Sequence, residues 1–239
     1  MVPGGKEQGR RQEKQCVYCG RVTICTADHV IPRALFPGAK APNMITVPAC
    51  LDCNQAKGEL DAYLRDVLTA DLSSYDSAEA RAVLEGKVRS AVRRNQSPVW
   101  RAAETQTRRV PLWSPGGIYL GDFPAIPLDG GRLHLALSMM AKGLYARHFG
   151  RRLSDGVDID VGRIGADLVV QQWPMLTLPG SNGPFVIGMN VCYYLFFVAS
   201  DEPLVVHWLL ASYHSVFFIV TLKQANAGKE PVELVEPVA

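Results

Sequence analysis

The sequence predicts an α+β protein, and three observations predict it. Apolar residues recur at helical spacing over 51–72, 77–95 and 132–149. Apolar β-rich runs occupy 157–223, and short extended stretches lie around two Cys-x-x-Cys pairs near the N-terminus. With 239 residues, 48% hydrophobic and 20% charged, the chain can bury a sizeable core, which excludes a disordered protein. The net charge of +2 excludes a global basic excess. It hides local asymmetry: +3 over 1–60, −4 over 61–85, +6 over 86–113 and −3 over 114–239.

Residues 1–14 read as a disordered basic tail carrying Lys6, Arg10, Arg11 and Lys14. Met1–Gln15 has no apolar run, so no signal peptide is expected and the expected compartment is cytoplasmic. Val22–Thr26 reads as a β-like core, Pro32–Asn43 as a loop and Met44–Val47 as a second short strand. A helix is expected from near Leu51 to about Leu72, and Ser73–Asp76 breaks it. Asp76, with Glu79 three residues on, predicts the N-cap of a second helix from Ser77 to about Asn95.

Beyond Pro98, prolines and glycines predict a linker or short strands. Arg132–Phe149 reads as a helix ended by Gly150, followed by the apolar runs Phe185–Ala199 and Leu204–Leu222. The last run lacks Asp, Glu, Lys and Arg, yet His207, Ser212, His214 and Ser215 interrupt it. Two buried strands joined at Ser212–Ser215 therefore fit better than a membrane span. The expected division is a tail at 1–14, a module at 15–60, a helical connector at 61–110 and a C-terminal α+β domain at 111–239.

Of the six cysteines, Cys16, Cys19, Cys50 and Cys53 form two Cys-x-x-Cys pairs, whereas Cys25 and Cys192 read as buried thiols. Paired motifs in a chain with no secretory signal point to metal, not disulfides. Four thiolates close a tetrahedral zinc site and leave no position for substrate, so such a metal is structural. Between the pairs lies Asp28-His29-Val30-Ile31-Pro32-Arg33, and Asn54-Gln55-Ala56-Lys57-Gly58 follows the second. Neighbours on an extended segment point to opposite sides, so Asp28 can hold a metal while His29 faces water. Mg²⁺ takes one or two protein oxygens, which Asp28 and Asn54 can supply.

Cys16-x-x-Cys19, Asp28-His29-Val-Ile-Pro-Arg33, Asn43 and Cys50-x-x-Cys53-Asn54-x-x-Lys57-Gly58 together resemble the HNH endonucleases of the ββα-metal fold, in their zinc-containing subgroup. The resemblance covers residues 16–58. It implies an N-terminal ββα-metal module with a structural zinc on the four cysteines, His29 as general base, and Asp28 and Asn54 as ligands of a catalytic Mg²⁺ or Mn²⁺. It further implies that Asn43 braces the loop and orients His29, although Asn43 also reads as a turn residue. The Ala/Pro-rich loop Pro32–Asn43 departs from the family's usual Gly and aromatic residue.

The expected activity is metal-dependent hydrolysis of phosphodiester bonds, with DNA, more readily double-stranded, as partner. Lys57, Arg33, Arg89, Arg93 and Arg94 are candidate nucleic-acid contacts. For Lys57 and the arginine run a solvated helix face is the competing reading. Two alternatives remain: a zinc-stabilised DNA-binding module without catalysis, and a nuclease effector controlled by a C-terminal sensing domain. Residues 111–239 carry no chemical motif, and their apolar strands suggest a packed accessory domain or a homodimer interface. No membrane partner is expected.

Overall fold

The structure is a computed structural model that describes residues 13–38, 41–114, 116–165, 180–189, 191–199 and 205–224. Most of the expected basic tail, including Lys6, Arg10 and Arg11, lies outside them. Strand β1 (Glu13–Gln15) pairs antiparallel with β2 (Val22–Ile24), so Lys14 sits in a strand and not in a tail. Strands β3 (Thr26–His29) and β4 (Thr46–Ala49) form a second antiparallel ladder, with Asp28 opposite Val47 and His29 opposite Thr46. The β4 ladder starts two residues later than the Met44 expected. Helix α1 (Leu51–Ala70) follows directly.

Helices α2 (Ala78–Val83) and α3 (Arg89–Arg93) join through a π-helical segment at Leu84–Val88, where one continuous helix is expected from the sequence. Ser77, not Asp76, caps α2, accepting a hydrogen bond from the Ala80 amide. Helix α4 (Pro98–Gln106) replaces the expected linker start. Proline has its φ already set for a first helical turn, and Ser97 caps the free amide of Trp100. Strands β5 (Arg108–Trp113) and β6 (Tyr119–Ala125) form a hairpin whose side chains are largely exposed.

Helix α5 (Gly130–Phe149) starts at its Asp129 cap and ends at Gly150, whose φ of 66° is left-handed, as expected of a glycine stop. The remaining strands are β7 (Val157–Ile164), β8 (Ser181–Ile187), β9 (Cys192–Val198), β10 (Val206–Ser212) and β11 (Val216–Gln224). They form one antiparallel sheet in the order β7-β11-β10-β9-β8. The apolar run 204–222 folds as the β10–β11 hairpin, turning over Tyr213–Ser215. Among the described residues no helix is long and apolar enough to cross a membrane. The protein is α+β.

The sheet and the N-terminal strands do not form separate units. One core runs from Cys16, Val30, Ile31 and Phe36 through Leu64 and Leu68 of α1 and Leu137, Met140 and Leu144 of α5 to Trp208 and Phe218. Helix α1 also crosses position 60 without a break. The boundaries expected at 60 and 110 therefore separate no packed parts. Three contacts tie the loop after β3 to C-terminal residues. The buried Tyr213 hydroxyl donates to the Leu35 carbonyl at 2.8 Å, the Gly188 amide donates to the Pro42 carbonyl at 3.1 Å, and Gly143 of α5 lies against Val30.

A methyl group on Gly143 would lie 2.8 Å from both Val30 γ-carbons. Gly143→Ala should therefore destabilise the fold by about 1–3 kcal/mol, because overpacking must displace either α5 or the residue beside His29. Chemical denaturation checks this. A gain in stability, as expected of Gly→Ala in a roomy helix, would contradict the close packing.

Candidate metal centre and hairpin–helix site

The turn after β1 carries the first cysteine pair. The Gly20 amide donates to the Cys16 carbonyl at 2.9 Å, and Gly20 has a φ of 76°, which turns the chain back into β2. The second pair spans the start of α1, with Cys50 as the residue before its first turn and Cys53 inside it. The four sulfurs lie within 4.8 Å of one another and none is disulfide-bonded. Cys19 and Cys50 are 3.7 Å apart, close to the about 3.8 Å edge of a tetrahedron with metal–sulfur bonds of about 2.3 Å. The cluster can hold a metal such as zinc.

Its surroundings favour thiolates. Arg21 donates to the Cys19 sulfur at 3.5 Å and to the Cys50 sulfur at 3.6 Å, and closes on Asp52 at 2.6 Å. The Arg21 hydrogen bond pulls the Cys19 thiol down to about 6, whereas burial pushes Cys53 up. The helix start at Cys50 adds the positive end of the α1 dipole. Sequence spacing finds the four ligands. Arg21 has no motif of its own and emerges only because the β1–β2 turn folds it over the sulfurs. Of the two remaining cysteines, Cys192 is buried as expected, while Cys25 is half-buried and its thiol donates to the Lys14 carbonyl.

Asp28, His29 and Asn54 meet on the hairpin and helix behind this cluster. Asp28 is nearly buried and His29 half-buried, consistent with their pointing to opposite sides of β3. The Asn54 amide nitrogen donates to Thr26 Oγ1 at 2.8 Å, which lays Asn54 over the β3 face that Thr26 shares with Asp28. That bond leaves the Asn54 amide oxygen pointing away from Thr26. The Tyr18 hydroxyl donates to Asp28 Oδ2 at 2.5 Å, and the Lys57 ammonium lies 3.7 Å from the same oxygen. His29 Nδ1 is buried and has no hydrogen-bond partner. Burial, and then the charge of Arg33, lowers the His29 pKa and favours the neutral imidazole.

Lys57 corrects the sequence reading. It is neither a solvated charge nor a phosphate contact, because its side chain is fully buried. Its ammonium donates to the His29 carbonyl at 2.8 Å and to both oxygens of Asp61, at 2.9 and 2.8 Å. It thus locks α1 to the backbone of the histidine. Tyr18 and Asp61 are absent from the sequence reading. The Lys57–Asp61 spacing of four on a helix is a readable ion-pair signal, but nothing local marks Tyr18. Burial raises the Asp61 carboxyl to about 6 against the opposing pull of Lys57.

Lys57→Ala should cost about 3–5 kcal/mol, since it strands two carboxylates in a largely dry site and removes a donor from the His29 carbonyl. Denaturant unfolding measures it. A loss below about 1 kcal/mol would mean that Lys57 behaves as a surface charge.

Asn43 adopts a left-handed φ of 60°, as a turn residue does, and its amide donates to the Val186 carbonyl of β8 at 3.3 Å. Its side chain therefore anchors the loop to the sheet, where the resemblance implies that it orients His29. Arg33 is exposed in a short 3₁₀ turn, and Lys87 donates to its carbonyl at 2.9 Å. Arg89, Arg93 and Arg94 are exposed on and just after α3, and no acidic side chain pairs with them among the described residues.

No protein-family model, no curated protein and no solved structure matches this chain.

Proposed function

We propose that the protein is a metal-dependent HNH-type endonuclease acting on DNA, with residues 15–60 as its ββα-metal part and zinc in the four-cysteine site. The observation that carries this reading is the unpartnered, buried Nδ1 of His29. It stands on the same hairpin as Asp28 and beside the helix that brings Asn54 to that hairpin. A buried ring nitrogen without a partner costs stability, which is explicable where it must accept a proton from a bound water.

The donor set also fits a hard cation. Asp28 and Asn54 offer oxygen only, and the contacts to Tyr18 and Lys57 both fall on Oδ2 of Asp28. Mg²⁺ or Mn²⁺ bound there would supply charge neutralisation at the leaving 3′-oxygen. His29, neutral, takes the proton of the attacking water. Lys57 and Asp61 hold the His29 carbonyl and the helix in register. Arg33, Arg89, Arg93 and Arg94 supply exposed cations for the phosphate backbone.

The burial of Asp28 against Tyr18 and Lys57 favours a second reading, a zinc-stabilised DNA-binding module without catalysis. Incubation with supercoiled plasmid separates the two. Nicking that requires Mg²⁺ or Mn²⁺ and stops with EDTA supports the nuclease. DNA binding with no cleavage under any divalent ion supports the module.

A further inference from the structure

A cavity of about 700 Å³ lies beside α1, lined by Gln55, Gly58, Glu59, Ala62, Gln96, Pro98, Arg101 and Arg132. Its floor is the α1 stripe one residue on from Asn54, Lys57 and Asp61. It therefore opens about 100° around the helix from the hairpin that carries His29. Gly58 leaves the floor open, because a Cβ there would meet nothing within 4 Å.

Two fixed helix starts wall the cavity. Asp66 of α1, fully buried, accepts hydrogen bonds from Arg65 at 2.7 Å and from Ser97, the cap of α4. Tyr63 accepts the Asp129 amide at 2.7 Å and donates to the Asp129 carbonyl at 3.2 Å, which seats the start of α5. These bonds set Arg101 of α4 and Arg132 of α5 on the two walls. Arg132 reaches Asp129 at 3.3 Å and lies 5.9 Å over the Tyr63 ring, whereas Arg101 forms no ion pair among the described residues.

We infer that this cavity binds a backbone phosphate of a nucleic-acid strand, with its attached sugar, one step along the strand from the hairpin–helix site. This rests on the nuclease reading above. Two guanidiniums converging from rigid helix starts match the forked geometry of phosphate. The volume suits a nucleotide-sized group, and Gln55, Gln96 and Glu59 offer donors and acceptors to a sugar or base edge. A strand is favoured over a free nucleotide because the arginines continue: Arg108 and Arg109 stand exposed on β5, directly after α4.

The test uses the full chain as the His29→Ala variant in EDTA, so that binding is read without cleavage. Anisotropy of a fluorescent DNA duplex is followed against salt. Replacing Arg101 and Arg132 together by Ala should reduce the slope of log affinity against log salt by about two, near 0.9 for each lost phosphate contact. Arg132→Ala also removes its contacts to Asp129 and Tyr63, so Gln55→Glu serves as a second variant that adds a negative charge and removes no fold contact. It should weaken binding while its melting curve matches the parent's.

An unchanged slope and unchanged affinity in both variants would overturn the inference, and plasmid cleavage by the wild type would still stand for the nuclease. Saturable binding of a nucleoside monophosphate that both variants abolish, with duplex binding intact, would overturn it in favour of a free-nucleotide site. A wild type that neither binds nor cuts DNA overturns both readings.

Discussion

His29→Ala should lower the rate of Mg²⁺-dependent plasmid nicking by about 10²–10⁴-fold, the range a positioned general base supplies. Zinc content and melting temperature should stay near those of the wild type. The ring is only half-buried, its Nδ1 bonds to nothing, and the backbone contact at this residue is the Lys57 bond to the His29 carbonyl, which alanine keeps. Asp28→Ala tests a different part of the site. It removes a cation ligand in the proposed mechanism, and it also strips Tyr18 of its acceptor and Lys57 of a nearby carboxylate. Its loss of activity therefore needs a stability measurement beside it. The histidine variant is the cleaner experiment, and cleavage at the wild-type rate by folded His29→Ala protein would place the base elsewhere.

Removing the four-cysteine metal should have the largest effect on the fold. Purified protein should contain about one zinc per chain, and Cys50→Ser should lose it together with the order of residues 13–60. Structural zinc in small modules is worth about 10–16 kcal/mol of apparent binding free energy, which there is folding free energy. Elemental analysis and protease sensitivity read the two losses. Cys16 and Cys50 are themselves nearly inaccessible parts of the shared core, so the damage should spread to α5, not stop at residue 60. Chelation that leaves zinc-free protein with an unchanged melting curve would overturn a structural metal.

How far the site is legible in the sequence follows from the range of the interactions that build it. The cysteine pairs stand out because metal ligands keep short, regular spacings, and the structure brings all four sulfurs together. Asp28 and His29 are readable as neighbours on an extended segment because alternation in a strand is a local property. Gly150 ends α5 and Ser212–Ser215 turns the last hairpin for equally local reasons. Lys57 is open to misreading because its partners include the His29 carbonyl and Asp28, about thirty residues away. Tyr18 bonding Asp28 leaves no trace in either residue's local pattern. Helix α4 escapes the sequence reading because its proline looks like a breaker. It stands instead in the first turn behind Ser97, whose side chain is drawn to Asp66 across the helix pair.

The sequence by itself determined the α+β class, the four metal-binding thiols and the side of the strand on which each of Asp28 and His29 stands. Only the tertiary structure decided that the C-terminal sheet and α5 share one core with the cysteine module, and that Tyr213, Gly188 and Val186 hold the loop following His29. The physical reason is that spacing along the chain records helix and strand periods and ligand bites. A buried charge, a carbonyl's distant donor or a close glycine contact depends on which surfaces meet, and that is settled by packing the whole chain at once.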